Sequence, residues 1–273
     1  MRPVFLAAVL ALWTAGCFSH SAPKAPEIGK NTPRVSVMTY NVNFGLAGDP
    51  ETVQAAAKAA ENADVVCFQE TNAAWERALR WELGSSHPYA RFIGHPVAGG
   101  LGVMSKLPIE SVEFLPAKDW FPAQRVVLST PIGKLQVLNV HLRPPVSDSG
   151  SVVRGYFTTG GVRMKEIEAF AAKLDPDMPT LIMGDFNENE AGQAVMWLKT
   201  NRSMASALPQ FQPKAKTWRW KAHGVTLQNR YDHLVYDARL RPVKAEVVKA
   251  GRSDHLPVVG TFVLSATPVA GVQ

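Results

Sequence analysis

Residues 251–262 read GRSDHLPVVGTF. A glycine-led turn presents Ser253, Asp254 and His255, and beyond Pro257 runs an apolar, β-branched stretch of the kind that fills a buried strand. An acid and an imidazole at the lip of such a strand are delivered to one edge of a sheet. The same arrangement recurs upstream. Asn41 ends VSVMTYN, Glu70 follows DVVCFQ, His141 ends LQVLNVH, Asp185 and Asn187 follow LIMG, and Asp232 opens DHLVY. Carboxylates and a carboxamide suit a hard divalent cation, while two histidines suit proton transfer or contact with a phosphoryl oxygen.

The pattern between these positions alternates strand and helix. Val35 to Asn41 reads as a strand, Asp49-Pro50-Glu51 as a helix start with an N-cap carboxylate and a first-turn proline, and Asp64 to Gln69 as a buried strand. A helix is expected over Ala73 to Leu83. Short strands follow near Arg91–Gly94, Leu101–Ser105, Val112–Leu115, Gln124–Ser129 and Leu135–Val140, separated by Gly and Pro turns. Helices are expected at Val162–Leu174 and Ala191–Lys199, with strands at Thr180–Met183, His233–Tyr236, Val243–Lys249 and Val258–Leu264.

At the same residues the chain resembles the endonuclease/exonuclease/phosphatase superfamily. The matching blocks, in that family's order, are VSVMTYNVNFG, DVVCFQET, GLGVMSKLPI, LQVLNVHL, VRMKEIEAF, LIMGDFNENE, YDHLVY and SDHLPV. They run from Arg34 to about Leu264. A lone G-D-F-N or S-D-H carries little weight, since short polar clusters after strands are usually turns; eight blocks in order carry much more. The resemblance implies an α/β fold, a four-layer sandwich of two packed mixed sheets flanked by helices.

It also implies roles. Glu70 and Asp254 match the metal carboxylates, with Asn41 supplying an amide oxygen or bracing Glu70. Asp185 matches the group that orients or deprotonates the attacking water, and Asn187 a donor to the phosphate. His255 matches a phosphate contact whose other ring nitrogen is held by Asp232, and His141 a second donor or general acid. Arg125 matches a position that binds substrate or braces the site, with a surface salt bridge as its structural alternative. Glu76 and Glu82 are the available acids for pairing with His141. Mg²⁺ is the implied ion, with Mn²⁺ or Ca²⁺ as substitutes.

Each residue has an ordinary reading when taken singly. A Glu after a strand is a solvated turn residue, Asp185 an N-cap or Asx-turn residue, and His141 a hydrogen-bonded core histidine. The ordered set overturns these. His233 is expected on the face opposite Asp232, because strand neighbours alternate.

With 273 residues, 46% hydrophobic and 19% charged, the chain can bury a full core within one large domain. Its formal charge of +6 favours anionic partners such as nucleic acid, phospholipid headgroups or a polyphosphate. Two segments are placed to choose among them. Residues 143–160, RPPVSDSGSVVRGYFTTG, form a long irregular stretch with Arg154, Tyr156 and Phe157. Residues 214–224, KAKTWRWKAHG, interleave Lys214, Lys216, Arg219 and Lys221 with Trp218 and Trp220, suited to gripping phosphates, stacking bases or sitting at a lipid interface. Trp218 and Trp220 each read as core or contact, core being favoured for Trp218 and contact for Trp220.

The N-terminus reads as an export signal. Arg2 precedes an apolar stretch from Val4 to Trp13, shorter than the roughly 20 residues that span a bilayer, and Ala15-Gly16-Cys17 supplies small residues at a cleavage point. The pattern resembles a bacterial lipoprotein signal, with Thr14 where such signals usually carry Leu; plain secretion and an uncleaved anchor are the alternatives. Residues 1–16 are then the signal peptide, 17–33 a flexible tether, 34–266 the domain and 267–273 a tail. Cys67, in an apolar run, reads as a small buried hydrophobe.

The expected activity is metal-dependent phosphodiester hydrolysis, with an endonuclease as one form of it and no sequence feature that selects DNA over lipid. A phospholipid or sphingomyelin phosphodiesterase, or a non-catalytic binding module on the same fold, are the alternatives. The expected partners are the phosphodiester substrate and, through a lipidated Cys17, a membrane of the cell envelope, with the domain monomeric.

Overall fold

Val35, Val37 and Thr39 of the first strand turn one way and Met38 and Tyr40 the other, yet all are buried. A strand buried on both faces belongs in the middle of a layered sheet. This strand, β1 (Val35–Asn41), pairs in parallel with β2 (Val65–Gln69) and antiparallel with β14 (Val258–Leu264). The computed structural model describes residues 28–117, 119–147, 149–151, 154–155, 158–222 and 224–266. The signal segment, Cys17, most of the tether, Tyr156, Phe157 and the tail lie outside the described residues.

Two six-stranded mixed sheets form the body. In the first, β13 (Leu240–Val247), β14, β1, β2, β4 (Leu101–Ser105) and β3 (Tyr89–Ile93) lie side by side. In the second the order is β5 (Ile109–Leu115), β6 (Ala123–Thr130), β7 (Gly133–His141), β8 (Thr180–Asp185), β12 (Asp232–Tyr236) and β9 (Ala205–Ser206). The parallel pairs are β1 with β2 and β7 with β8, each joined across a helix. The remaining pairs are antiparallel.

Between the sheets pack Val35, Val37, Cys67, Val137, Met183 and Phe262. Outside the first sheet lie α1 (Pro50–Ala60) and α2 (Ala73–Leu83), which press Val53, Ala56, Trp75 and Leu79 on Met38, Tyr40 and Phe68. Outside the second lie α3 (Gly160–Ala171) and α4 (Gln193–Asn201), which press Ile167, Phe170, Val195 and Leu198 on Leu138, Val140 and Ile182. Helix, sheet, sheet and helix make the four layers that the sequence led one to expect.

The Asp49 cap is as read, and the structure adds a second at Asn72. Asp49 accepts the Thr52 N–H at 2.9 Å, with Pro50 opening α1, and Asn72 accepts from Ala74 and Trp75 to start α2. Two differences have local causes. Strand β13 begins at Leu240, before Pro242, because it lies at the sheet edge where a residue without an N–H is tolerated; the register shifts just after it. The segment read as a basic and aromatic stretch is a hairpin, β10 (Trp218–Ala222) and β11 (Val225–Asn229), outside both sheets. Among the described residues, no helix is long and apolar enough to cross a membrane.

Candidate active site

The C-terminal ends of β1, β2, β7 and β8 meet the N-terminal ends of β12 and β14 along one edge of the sandwich. Strand period does the aiming. His141 shares its face of β7 with Val137 and Asn139, which point into the inter-sheet core. Asp185 is its partner across β7–β8, and Asp232 is the partner of Asp185 across β8–β12. All three point inward and are buried.

Glu70 breaks the period. Val65, Cys67 and Gln69 face the second sheet, so an extended Glu70 would turn toward the helices. Its φ of 60° re-aims it into the centre. There Oε1 accepts from Asn41 Nδ2 at 3.0 Å and Oε2 from the Phe44 N–H at 2.8 Å. Asn43 (φ 65°) and Asn187 (φ 52°) share this left-handed backbone. Such strain collects where a structure over-determines a functional geometry.

Asp185 Oδ2 is the point of convergence. It accepts from Asn41 Nδ2 at 3.0 Å and Asn187 Nδ2 at 3.3 Å, and it lies 3.5 Å from Nε2 of both His141 and His255. Burial raises the Asp185 carboxyl above its usual range, against the pull of the His255 charge. The second ring nitrogen of each histidine is fixed. His255 Nδ1 lies 2.8 Å from Asp232 Oδ2, and His141 Nδ1 lies 3.0 Å from the Ala98 carbonyl oxygen. A carbonyl only accepts, so His141 carries its proton on Nδ1 and turns Nε2 to the centre. Burial alone would lower the His255 imidazole; Asp232 and Asp185 outweigh it and raise the group to about 10.

Asp254 sits at the rim. Its Oδ1 accepts from Asn43 Nδ2 at 2.7 Å and its Oδ2 from the Trp218 indole at 3.0 Å. Asn43 also donates its N–H to Asn41 Oδ1 at 3.0 Å, so one turn after β1 ties Asp254, Asn41 and Glu70 together. Ser253 locks the same corner, donating to the Asn41 carbonyl and accepting from the His255 N–H.

The structure thus brings together Asn41, Glu70, His141, Asp185, Asn187, Asp232, Asp254 and His255. Two amides are already engaged within the site, Asn41 in the second of the two ways the resemblance implied. The Asn41 oxygen is taken by Asn43 and its NH₂ faces the carboxylates, which is the bracing orientation. The Asn187 NH₂ is committed to the Leu142 carbonyl and Asp185, so a bond to phosphate would have to replace one of these.

Arg125 is not in the site. It pairs with Leu138 on the helix side of β7, the face opposite His141, and its guanidinium donates to Gln136 and Glu113. Glu76 does not reach His141 either: it is bound to Arg80 on the exposed side of α2, and Ala98 supplies the acceptor instead. His233 faces away from Asp232 as expected, held by Glu190 and the Glu188 carbonyl.

Other groups carried little or no local signal. Phe121 stacks on His141 with centroids 4.7 Å apart, and Thr217 Oγ1 accepts the N–H groups of Tyr231 and Asp232. Thr217 and Trp218 lie in the basic and aromatic segment that the sequence singles out, where Trp218 reads as core or contact. Asp185, Asp232 and His255 place ligand atoms within 4.8 Å of one another and could hold a metal ion.

A four-layer sandwich that gathers carboxylates and imidazoles at one edge of two facing sheets is built as phosphoester hydrolases are. The chain belongs to the Endonuclease/Exonuclease/phosphatase family, whose sequence profile matches residues 38–255, and members of that family hydrolyse phosphoester bonds. No curated protein matches it in sequence. Solved structures share the fold. An endonuclease/exonuclease/phosphatase from Beutenbergia cavernae is 22% identical, with a TM-score of 0.68 over 87% of this chain and 73% of that one. TDP2 from D. rerio, complexed with a single-strand DNA product, is 16% identical, with a TM-score of 0.64 over 84% of this chain and 98% of that one. ANGEL2, a 2',3'-cyclic phosphatase, is 15% identical, with a TM-score of 0.63 over 86% of this chain and 97% of that one.

Proposed function

We propose that the protein is a divalent-metal-dependent phosphoesterase that hydrolyses phosphodiester bonds. The observation that carries this is the approach of two imidazoles, one from each sheet, to a single buried carboxylate oxygen, Asp185 Oδ2, at 3.5 Å each. Asp185, with its basicity raised by burial, takes a proton from the attacking water. His255, held charged by Asp232, donates from Nε2 to a phosphoryl oxygen as negative charge builds. His141, whose Nδ1–H is held by the Ala98 carbonyl, supplies the second donor from Nε2 only when doubly protonated, to the other phosphoryl oxygen or the leaving group.

The donor set fits a hard cation. Glu70, Asp185, Asp232 and Asp254 bring four carboxylates to one edge, and the hydrogen bonds they receive come from amide, indole, imidazole and backbone N–H groups. Glu70 and Asp254 would hold Mg²⁺, with Mn²⁺ or Ca²⁺ as substitutes, Asn41 bracing Glu70 and Asn43 and Trp218 bracing Asp254. Bound there, the ion would polarise the phosphoryl oxygen and neutralise charge on the leaving oxygen. The set Asp185, Asp232 and His255 is the lesser choice, because an ion would displace the proton shared by His255 and Asp232.

A nucleic acid is the leading substrate, supported by the single-strand DNA product in D. rerio TDP2. A phospholipid or sphingomyelin headgroup is the alternative. A binding module without catalysis is disfavoured, because the acid, amide and imidazole groups needed for hydrolysis converge. We further propose that residues 1–16 are removed, that Cys17 is acylated, that residues 17–33 tether a monomeric domain of residues 34–266, and that the protein resides at the cell envelope.

The test is hydrolysis of DNA, RNA, sphingomyelin and a simple bis-phosphodiester with Mg²⁺, Mn²⁺ or Ca²⁺ and an EDTA control. Full activity of Glu70→Gln with unchanged metal dependence would sink the metal assignment. Release of phosphate from monoesters alone would make the protein a phosphatase.

A further inference from the structure

The β10–β11 hairpin stands outside both sheets and shows two unlike faces. Trp220 pairs with Leu227, and Val225 follows on the same face; these side chains are 44%, 45% and 58% exposed. On the other face Arg219 pairs with Gln228 and Lys221 with Thr226. Beside the hairpin runs a groove of about 740 Å³ lined by Lys214, Lys216, Arg219 and Lys249, and among the described residues no acidic side chain lines it. The strand base is joined to the candidate active site. The Trp218 indole donates to the Asp254 carboxylate, and the Arg219 N–H donates to the Asp254 carbonyl oxygen.

We propose that this hairpin and groove form a docking surface for an anionic phospholipid interface, with Trp220, Val225 and Leu227 entering the acyl boundary and the four cations resting on headgroup phosphates. Charge and shape select this occupant. A nucleic acid strand would satisfy the cations and could stack on Trp220, but Leu227 and Val225 offer no π face to a base. A lipid interface entered by the closed end of the hairpin takes both: Val225, Leu227 and Trp220 lie toward that end and partition to the acyl boundary, while Arg219, Lys214 and Lys216 lie toward the strand base, at headgroup level. Because the hairpin base holds Asp254, docking brings the site to the surface. Docking of this kind does not depend on which bond the protein hydrolyses.

The experiment is co-sedimentation of the full chain, in a Cys17→Ser background so that no acyl chain masks the hairpin. Vesicles are phosphatidylcholine alone or an equimolar mixture with phosphatidylglycerol. The parent chain should bind the mixed vesicles more tightly, and added salt should weaken that binding. W220S/L227S should bind both vesicle types about ten-fold or more weakly. K214Q/K216Q/K249Q should lose about five-fold per charge on mixed vesicles and little on phosphatidylcholine. Unchanged thermal unfolding midpoints show that each variant is folded, and the lysine set keeps the test decisive if the hairpin variant is not. Equal vesicle binding by parent and variants overturns the proposal. So does loss of single-stranded oligonucleotide binding in W220S/L227S with vesicle binding intact, which assigns the surface to nucleic acid. Self-association of the parent that W220S/L227S abolishes, again with vesicle binding intact, assigns it to a second copy of the chain.

Discussion

Asp232 Oδ2 lies 2.8 Å from His255 Nδ1, and the other nitrogen of that ring lies 3.5 Å from Asp185 Oδ2, so one imidazole links two buried acids from adjacent strands. The carboxylate on Nδ1 fixes the tautomer and the charge; in the proposed reaction Nε2–H is the donor offered to a substrate. Asp232 therefore acts through His255.

His255→Ala should lower turnover roughly 10²- to 10⁴-fold, the scale of a lost oxyanion donor or proton-transfer group. Asp232→Asn should fall in the same direction. The double variant should be no slower than His255→Ala alone, because both changes remove one function. Additive losses in steady-state turnover would separate the two residues.

Asp185→Asn and His141→Ala should each cost roughly 10²- to 10⁴-fold in turnover. For Asp185→Asn the thermal midpoint should move little. Relief of a buried carboxylate offsets the imperfect hydrogen bonds that the amide makes with Asn41 and Asn187, each effect being of order 1 kcal/mol. A large loss of stability would mean that Asp185 is a structural turn residue.

Trp218→Phe keeps the ring on Tyr231 but removes the N–H held by Asp254. If Asp254 is a metal ligand, affinity should fall about 10- to 100-fold, the usual effect of losing a group that orients a ligand. Calorimetric titration with Mn²⁺ reads this without an activity assay. Unchanged affinity would remove Asp254 from the ligand set.

Burial raises the Glu166 carboxyl to about 7, opposed by the Arg143 N–H that it accepts and reinforced by Asp119. An acid with a raised folded pKa binds protons more tightly when folded, so its contribution to stability falls as pH rises from the unfolded value toward about 7. Glu166→Gln should flatten the fall in thermal midpoint across that window. A slope identical to the parent's would show that another group controls it.

Cys17→Ser should release the protein from membranes while purified protein keeps its activity. Acyl chains contribute about 0.8 kcal/mol per buried CH₂, enough for a multiply acylated terminus to survive washing. Mass spectrometry of the mature terminus decides the claim; an unmodified cysteine or a different cleavage point defeats it.

Much of this site is visible in the sequence because a buried strand must be apolar along its length, so the first polar residue past it marks an edge. That rule together with the ordered family-like blocks places Asn41, Glu70, His141, Asp185, Asp232 and His255 at strand ends, although Gln69, Gln136 and Asn139 are polar and buried within strands, and period two assigns His233 to the far side. The same rule needs pairing partners before it can remove Arg125: its face is settled only when it is set beside Leu138, in a register that no local pattern contains. The hairpin shows the opposite limit. KTWRWKA alternates as a strand does, but its basic and aromatic content drew the reading toward a binding stretch, and only the register with Val225–Asn229 made it a strand.

What the tertiary structure alone decided is direction and partnership. Glu70 reaches the centre through a left-handed backbone that its sequence neighbours do not announce. The Asn41 amide is oriented by Asn43, His141 by the Ala98 carbonyl 43 residues away, and Asp254 by Trp218 36 residues away. Local sequence determines which groups arrive at the edge, since that depends on burial and period. Which atom each one presents depends on hydrogen-bond partners that chain folding brings from distant segments.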